Sequence, residues 1–227
     1  GVVEIVDARI PYSSSNPELD DLIKRKPRIV LLNKCDMADP AATKLWIDYY
    51  KSRGFYAAAA DCRSGKGLNQ FFAVCKKALS SVIEKNEAKG MAGKPIRLMV
   101  VGIPNTGKSS FINRMAGKNK AVVADRAGVT RSNQWFNAGN GIELLDTPGV
   151  LWPKFDDAEV GDKLAFIGSV KDEVTDLESL SCRLLEVLNR THPEMIEERY
   201  KITDFRNLQG WEILEQIGKK RGFLIKG

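Results

Sequence analysis

The strongest constraint on the fold is a glycine-bounded loop, Gly102-Ile-Pro-Asn-Thr-Gly-Lys-Ser109. An apolar run, Ile96–Val101, precedes the loop, and an amphipathic helical pattern, Lys108–Ala116, follows it. In this context the glycines let the backbone curl so that its N–H groups point inward, and the helix N-terminus adds partial positive charge. The pattern therefore predicts a phosphate-binding loop between a buried strand and a helix.

Other apolar runs of strand length alternate with helical patterns along the chain. The further predicted strands cover residues 2–6, 28–32, 55–59 and 142–145. The further predicted helices cover residues 17–25, 40–53 and 67–84. Because strands that are apolar throughout are buried on both faces, this alternation predicts an α/β fold with a mostly parallel sheet.

The chain divides by pattern into two predicted domains. The α/β domain covers residues 1–157 and has two halves, 1–84 and 96–157, joined by a polar linker at 85–95. From residue 158 onward only helical patterns occur, so we predict a small all-helical domain, 158–227, whose end could be truncated. A leucine pattern from residue 177 to 188 predicts one helix with Asp176 as its N-cap. Trp211, Leu214 and Ile217 predict a second helix.

A second motif, Asp146-Thr-Pro-Gly149, lies 38 residues after Lys108 (146 minus 108) and follows a predicted strand. At the carboxyl edge of a parallel sheet, Asp146 can hold the water shell of Mg²⁺, and the N–H of Gly149 can approach a terminal phosphate. We expect Lys108 to reach the β,γ-phosphate oxygens and Ser109 to ligate Mg²⁺. Thr130, in a loop-like stretch at 117–133, is the candidate switch threonine and a third Mg²⁺ ligand.

A base-reading motif, Asn33-Lys-Cys-Asp36, comes earlier in the chain. The carboxylate of Asp36 can accept hydrogen bonds from N1–H and the 2-amino group of guanine, which adenine cannot donate in that arrangement. The stem of Lys34 can lie over the purine, and Asn33 can tie this loop to the phosphate loop. The segment Cys62-Arg-Ser64 follows the next strand, where we expect a backbone N–H to meet guanine O6.

The predicted nucleotide contacts all belong to these loops. They are Asn33, Lys34, Asp36, Cys62, Arg63, Ser64, Pro104, Asn105, Thr106, Gly107, Lys108, Ser109, Ser110, Thr130 and Gly149. In an ordinary GTPase the phosphate loop comes before the base-reading motif, whereas here it comes after. This order predicts a circularly permuted GTPase domain that binds GTP and GDP.

The sequence lacks an obvious group to activate the attacking water. Ras-like enzymes carry a glutamine directly after the second phosphate motif, and here that residue is Val150, whose side chain cannot polarise water. The amide oxygen of Asn105 could instead coordinate K⁺ and neutralise charge that develops between the β- and γ-phosphates. An ordinary turn asparagine is the alternative. The predicted catalytic residues are thus Lys108, Asn105, Thr130 and Gly149, with low intrinsic activity.

With these motifs the chain resembles the YlqF/RbgA type of circularly permuted GTPase, the ribosome biogenesis GTPase A family. The resemblance includes Val6-Asp-Ala-Arg-Ile-Pro11 and the extension Trp152-Pro-Lys-Phe155, and it covers residues 2 to 165 best. It implies a factor that binds the precursor of the large ribosomal subunit, through rRNA and ribosomal proteins, and hydrolyses GTP under stimulation by the ribosome and K⁺. A family segment that ends in Pro-Gly-His and supplies a histidine for hydrolysis has no counterpart in this sequence.

Composition agrees with an RNA partner and argues against other classes. The net charge of +6 suits a polyanion. Four separated cysteines and a single histidine disfavour a zinc site. No apolar run approaches the roughly 20 residues of a membrane span, so we expect no membrane association. A cytoplasmic location and a monomeric state are further expectations. Two alternatives stay open at this point: a nucleotide-dependent RNA-binding module with little hydrolysis, and an ATP-dependent phosphotransferase.

Overall fold

A single six-stranded sheet organises the computed structural model, which describes residues 1–23, 26–117, 134–149, 157–170 and 176–223. The strands are β1 Val2–Asp7, β2 Arg28–Asn33, β3 Tyr56–Ala60, β4 Ile96–Val101, β5 Gln134–Gly139 and β6 Ile142–Asp146. Their order across the sheet is β3-β2-β1-β4-β6-β5. Every neighbouring pair is parallel except β5 with β6. The predicted mostly parallel sheet is therefore confirmed.

Helices connect the strands and continue to the end of the described chain. Those up to residue 116 are α1 Pro11–Ser14, α2 Leu19–Leu22, α3 Pro40–Ser52, α4 Leu68–Ala78, α5 Ser80–Ala88 and α6 Lys108–Ala116. Those that follow the sheet are α7 Ala158–Phe166, α8 Leu177–Thr191, α9 Pro193–Tyr200 and α10 Gly210–Lys220. A 3-10 turn, Cys35–Met37, directly follows β2.

Alternate residues of the central strands pack on opposite faces of the sheet. On one face, Ile5 and Leu31 join a core with Phe71 of α4 and Phe111 of α6. On the other face, Val6, Val30 and Leu32 pack with Tyr50 of α3. Both faces are thus covered, which explains why these strands are apolar throughout.

The sheet joins the two halves of the chain through β1 and β4. Val2 of β1 pairs with Arg28 of β2 on one side and with Met99 of β4 on the other. Because β1, β2, β4 and β6 are parallel neighbours, their carboxyl ends lie along one edge of the sheet. The loops that follow these four strands therefore start close together, although they are far apart in sequence.

The structure differs from the local sequence predictions at four places. Strand β5 was not predicted. Its sequence is short, contains an asparagine and a glycine, and has no continuous apolar pattern. The predicted helix 67–84 is two helices, α4 and α5. They are separated at Leu79, whose side chain is buried and whose backbone leaves the helical conformation. The predicted linker 85–95 begins inside α5, and the described residues of the predicted helix 17–25 form only the short α2.

Residues Gly1–Val160 and Gly161–Gly227 form two compact units. In the second unit, α8, α9 and α10 surround a core that includes Leu185, Phe205 and Ile213. The predicted N-cap is confirmed, since the carboxylate of Asp176 accepts hydrogen bonds from the N–H groups of the first turn of α8. Trp211, which we expected on the apolar face of α10, is 57% exposed because Ile213 and Ile217 form that face.

Within the described residues, no helix combines the length and the apolar character that a membrane crossing requires.

Candidate nucleotide site

The phosphate loop joins the carboxyl end of β4 to the first turn of α6. Asn105 and Gly107 both adopt left-handed backbone, with φ of 61° and 91°. Thr106 between them is fully buried, and its hydroxyl donates to the carbonyl of Ile103 at 3.0 Å. These turns place Gly107 directly before α6, whose first N–H groups lack partners inside the helix. The loop can therefore present N–H groups to an anion.

Asn33 links three loops at the sheet edge. Its side-chain N–H donates to the carbonyl of Thr106 at 2.7 Å, across 73 positions of sequence. Its side-chain oxygen accepts a hydrogen bond from the N–H of Cys62 at 3.0 Å. Asn33 is buried, so both bonds are shielded from water. One amide thus holds the base-reading motif against the phosphate loop and against the segment 62–64.

Lys34 makes a second connection between the same two loops. Its ammonium group donates to the carbonyl of Asn105 at 2.7 Å. Its backbone is left-handed, with φ of 61°, and this bend leads into the 3-10 turn Cys35–Met37. Asp36 lies exposed in that turn. Its carboxylate is accessible to a ligand that lies beside the phosphate loop.

The segment 62–64 is held by residues that sequence reasoning missed. The carboxylate of Asp61 accepts hydrogen bonds from the N–H groups of Arg63 at 2.8 Å and Ser64 at 3.1 Å. The guanidinium of Arg114 on α6 donates to the carbonyls of Cys62 and Arg63. An aspartate at the start of a glycine-containing turn is a recognisable turn signal and could have identified Asp61. Since these N–H groups bond within the loop, the expected contact with guanine O6 stays a prediction.

Lys108 of the phosphate loop and Asp146 are buried groups of opposite charge that influence each other electrostatically. Burial lowers the pKa of Lys108, and the nearby charge of Asp146 opposes the shift. Burial likewise raises the pKa of Asp146, against the charge of Lys108 and a hydrogen bond from Thr147. Both groups are thus desolvated at a cost in free energy. An anion near Lys108 and a cation near Asp146 would each favour the charged form.

Asp146 fits the magnesium site that the motifs imply. Its Oδ1 atom is buried and has no hydrogen-bond partner within the described part of the chain. A carboxylate oxygen in that position, with the hydroxyl of Ser109 in the first turn of α6, matches the oxygen ligands that Mg²⁺ prefers. Among the described residues no cluster of three or more His, Cys, Asp or Glu side chains could hold a metal. A Mg²⁺ ion here would need oxygen atoms from its ligand or water as well.

Gly149 lies where a side chain would be crowded. A Cβ atom at this position would be 3.0 Å from the backbone nitrogen of Pro104 and 3.1 Å from Nζ of Lys108. The hydroxyl of Thr147 fixes the preceding turn by donating to the carbonyl of Val100 at 2.7 Å. The second phosphate motif is thus packed against the phosphate loop, with its backbone in reach of Lys108.

Comparison with known proteins identifies the family. Residues 97–211 match the family described as 50S ribosome-binding GTPase. Ribosome biogenesis GTPase A of Priestia megaterium is 48% identical over 228 residues, which cover 100% of this chain and 78% of that protein. The protein of the same name from Thermotoga maritima is 32% identical, over 100% of this chain and 74% of its own length. This chain belongs to the ribosome biogenesis GTPase A family.

Solved structures of the ribosome biogenesis GTPase A family agree. The GDP-bound structure of TM YlqF has a TM-score of 0.59 and 28% identity, and the match covers 97% of this chain and 90% of that chain. The GNP-bound YlqF from T. maritima has a TM-score of 0.58 and 27% identity, over 97% and 88% of the two chains. The present chain is accordingly a GTPase with a circularly permuted motif order and a helical unit that follows the sheet.

Membership of the ribosome biogenesis GTPase A family decides among the functional alternatives. It favours a GTPase that acts as a ribosome assembly factor over a nucleotide-dependent RNA-binding module, and it leaves no support for an ATP-dependent phosphotransferase. Two predicted features, the switch threonine Thr130 and the apolar residue Val150, lie outside the described residues. The roles of the individual site residues remain predictions.

Proposed function

We propose that this GTPase binds GTP at the shared sheet edge and uses the nucleotide to control its association with the precursor of the large ribosomal subunit. The observation that carries the proposal is the pair of bonds from Asn33 to Thr106 and from Lys34 to Asn105. A base held at Asp36 and a triphosphate held at Lys108 can then belong to one ligand. The proposed partners are rRNA and ribosomal proteins, and the proposed form is a cytoplasmic monomer.

Each loop has a distinct task in this proposal. Asp36 reads guanine, while the segment 62–64 closes the base site. Backbone N–H groups from Asn105 to Ser110 surround the phosphates, with Pro104 at the start of the loop, and Lys108 neutralises their charge. Gly149 offers its N–H to the terminal phosphate, since no side chain separates the two.

Magnesium would be held by Ser109 and by Asp146, whose buried Oδ1 has no partner among the described residues. Thr130 is the third proposed ligand. When bound, the ion neutralises charge on the β- and γ-phosphates. The protein itself contributes a desolvated site in which that charge is not screened by water.

Hydrolysis is proposed to be slow in the isolated chain and faster with K⁺ and large subunits. Position 150 carries valine, which offers no hydrogen bond to the attacking water. Asn105 supplies a side-chain amide oxygen, a donor type that suits an alkali cation, in the same loop that contacts Lys34. A monovalent cation near the bridging oxygen would favour the charge that develops there.

The test is sedimentation of the protein with purified large or small subunits, in buffers with K⁺ or Na⁺. We expect wild-type protein to sediment with large subunits when a non-hydrolysable GTP analogue is present, and much less with GDP. Asp36→Asn should lose this response to the guanosine analogue and regain it with the xanthosine analogue, because the amide donates where the carboxylate accepted. GTP turnover should be faster in K⁺ than in Na⁺ when large subunits are present.

Asp48→Asn is the matched control, since Asp48 is an exposed carboxylate on α3 whose ion pair is with Lys51. It should behave as wild type with both nucleotides. If Asp36→Asn keeps its preference for guanosine, the base site is elsewhere. Equal sedimentation with small subunits would contradict the choice of partner.

A further inference from the structure

Asp7, at the carboxyl end of β1, is a fully buried carboxylate that belongs to none of the nucleotide motifs. Its Oδ1 accepts hydrogen bonds from the backbone N–H of Arg9 at 3.0 Å and from Nε of Arg9 at 2.9 Å. Its Oδ2 accepts one from Nη2 of Arg9 at 2.7 Å and lies 3.1 Å from Nζ of Lys34. A buried carboxylate depends on such cationic partners, because their removal would leave its negative charge desolvated and uncompensated.

The charge state of Asp7 follows from these neighbours. Burial by itself would raise the pKa of Asp7, but the hydrogen bonds from Arg9 and the charge of Lys34 outweigh it and hold the pKa below its ordinary value. Asp7 is therefore ionised at neutral pH. Its negative charge is available to both cations at neutral pH.

Lys34 connects Asp7 to the phosphate loop. The same ammonium group that contacts Asp7 donates to the carbonyl of Asn105 at 2.7 Å. Lys34 also occupies left-handed backbone, a conformation that a non-glycine residue keeps only when its surroundings hold it. The end of β1 supports this bend directly, since the N–H of Ala8 donates to the carbonyl of Asn33 at 2.8 Å.

Arg9 is the second cation that Asp7 holds. The hydrogen bond with Asp7 raises the pKa of Arg9 against the effect of burial, and the charge of Asp36 acts in the same direction. Arg9 is thus held by one carboxylate within electrostatic reach of another.

We propose that Asp7 is a positioning residue for guanine-nucleotide binding. It holds Lys34 against the phosphate loop, so that the base-reading loop and the phosphate loop bind the ligand as one unit. The proposal rests on the nucleotide site described under the proposed function. It assigns a role in nucleotide binding to the Asp7-Ala8-Arg9 segment, which lies outside the nucleotide motifs.

The first test compares Asp7→Asn with Glu4→Gln by calorimetric titration with GDP and Mg²⁺. The asparagine amide sets an N–H donor against Arg9 or Lys34, so we expect GDP affinity to fall about 10- to 100-fold, or about 1.4–2.8 kcal/mol. Glu4 is the matched control because it is also fully buried on β1 and also ion-paired, but with Arg28. Its carboxylate also accepts hydrogen bonds from the hydroxyl of Ser15 and the backbone N–H of Asn16. Glu4→Gln should change GDP affinity less than twofold, even if it lowers the unfolding temperature as much as Asp7→Asn does.

The second test is a double-mutant cycle of Asp7→Asn with Lys34→Met. If Asp7 acts through Lys34, the double variant should bind GDP about as weakly as Lys34→Met alone, since the shared contact can be lost only once. A merely structural role predicts that the two losses add.

Two outcomes overturn the proposal: Asp7→Asn within twofold of wild type, or full additivity in the cycle. Neither outcome bears on the guanosine-to-xanthosine switch of Asp36→Asn, which tests the proposed function separately. Conversely, failure of that switch with a large effect of Asp7→Asn would remove the base-reading role of Asp36 and leave the positioning role of Asp7 in place.

Discussion

Asn33 uses both ends of its side-chain amide, donating to Thr106 and accepting from Cys62. The sequence motif predicts that an asparagine here reaches the phosphate loop, because the residue type at this place is diagnostic. The contact with Cys62 could not be predicted in the same way, since a backbone N–H carries no sequence signature. Asp61 and Asp7 were missed as supporting residues because a carboxylate that binds other protein groups looks, in sequence, like any other acidic residue.

The absence of a Cβ atom at Gly107 leaves room for the side chain of Asn33, which can be tested by a single substitution. Its backbone is left-handed, with φ of 91°, and a Cβ atom would collide with the side-chain nitrogen of Asn33. We expect Gly107→Ala to cost about 1–2 kcal/mol in backbone strain. It should also displace Asn33, so that GDP affinity falls at least about tenfold, which is about 1.4 kcal/mol.

Gly54→Ala separates these two effects in the same titration. Gly54 has a similar φ of 82°, but a Cβ atom added there would have no neighbour within 4 Å. The control should show a comparable loss of stability and unchanged GDP affinity. Equal affinities for the two variants would mean that the contact between Asn33 and the phosphate loop is not needed for binding.

At the scale of elements, the position of the phosphate loop depends on how α6 packs. Phe111 of α6 meets Phe71 of α4 edge to face, with ring centroids 5.2 Å apart. Both rings are fully buried under the sheet. The existence of α6 and of most strands was predictable from apolar periodicity. The break between α4 and α5 was not, because Leu79 continues the apolar pattern while its backbone leaves the helix.

Replacement of Phe111 by alanine tests this packing. The lost ring should lower the free energy of unfolding by about 3–5 kcal/mol, as for other buried aromatic residues. Urea denaturation followed by circular dichroism measures the effect. Leu45→Ala on α3, where the side chain is 71% exposed, is the control and should change stability by less than about 0.5 kcal/mol. A loss below about 1 kcal/mol for Phe111→Ala would show that α6 is held mainly by other contacts.

At the scale of the whole molecule, the described contacts of the nucleotide site all come from the unit Gly1–Val160. The unit Gly161–Gly227 has its own apolar core. Its helices were predicted as a group. On α10, Ile217 and Leu214 pack in the core as expected, but Trp211 does not, although it is apolar and lies at helical spacing from Leu214.

Ile213→Ala tests the independence of nucleotide binding from the second unit. Ile213 is fully buried, so its truncation should cost about 2–5 kcal/mol in the stability of that unit. GDP affinity, measured where the variant is still folded, should stay within twofold of wild type. Trp211→Ala, on the same helix but exposed, should affect neither quantity strongly. A large drop in GDP affinity for Ile213→Ala would mean that the second unit supports the site.

The sequence by itself determined the local chemistry: a phosphate loop after a strand, a guanine-reading motif after another, and helical periodicity to the end of the described chain. These features depend on residue type and on spacing over a few positions, which a linear pattern records. Only the tertiary structure decided which loops meet, because the pairing of β1 with both β2 and β4 brings together groups 73 positions apart. The same pairing buries Asp7 between Arg9 and Lys34, and a carboxylate acquires its role there from desolvation and neighbouring charges that no linear pattern records.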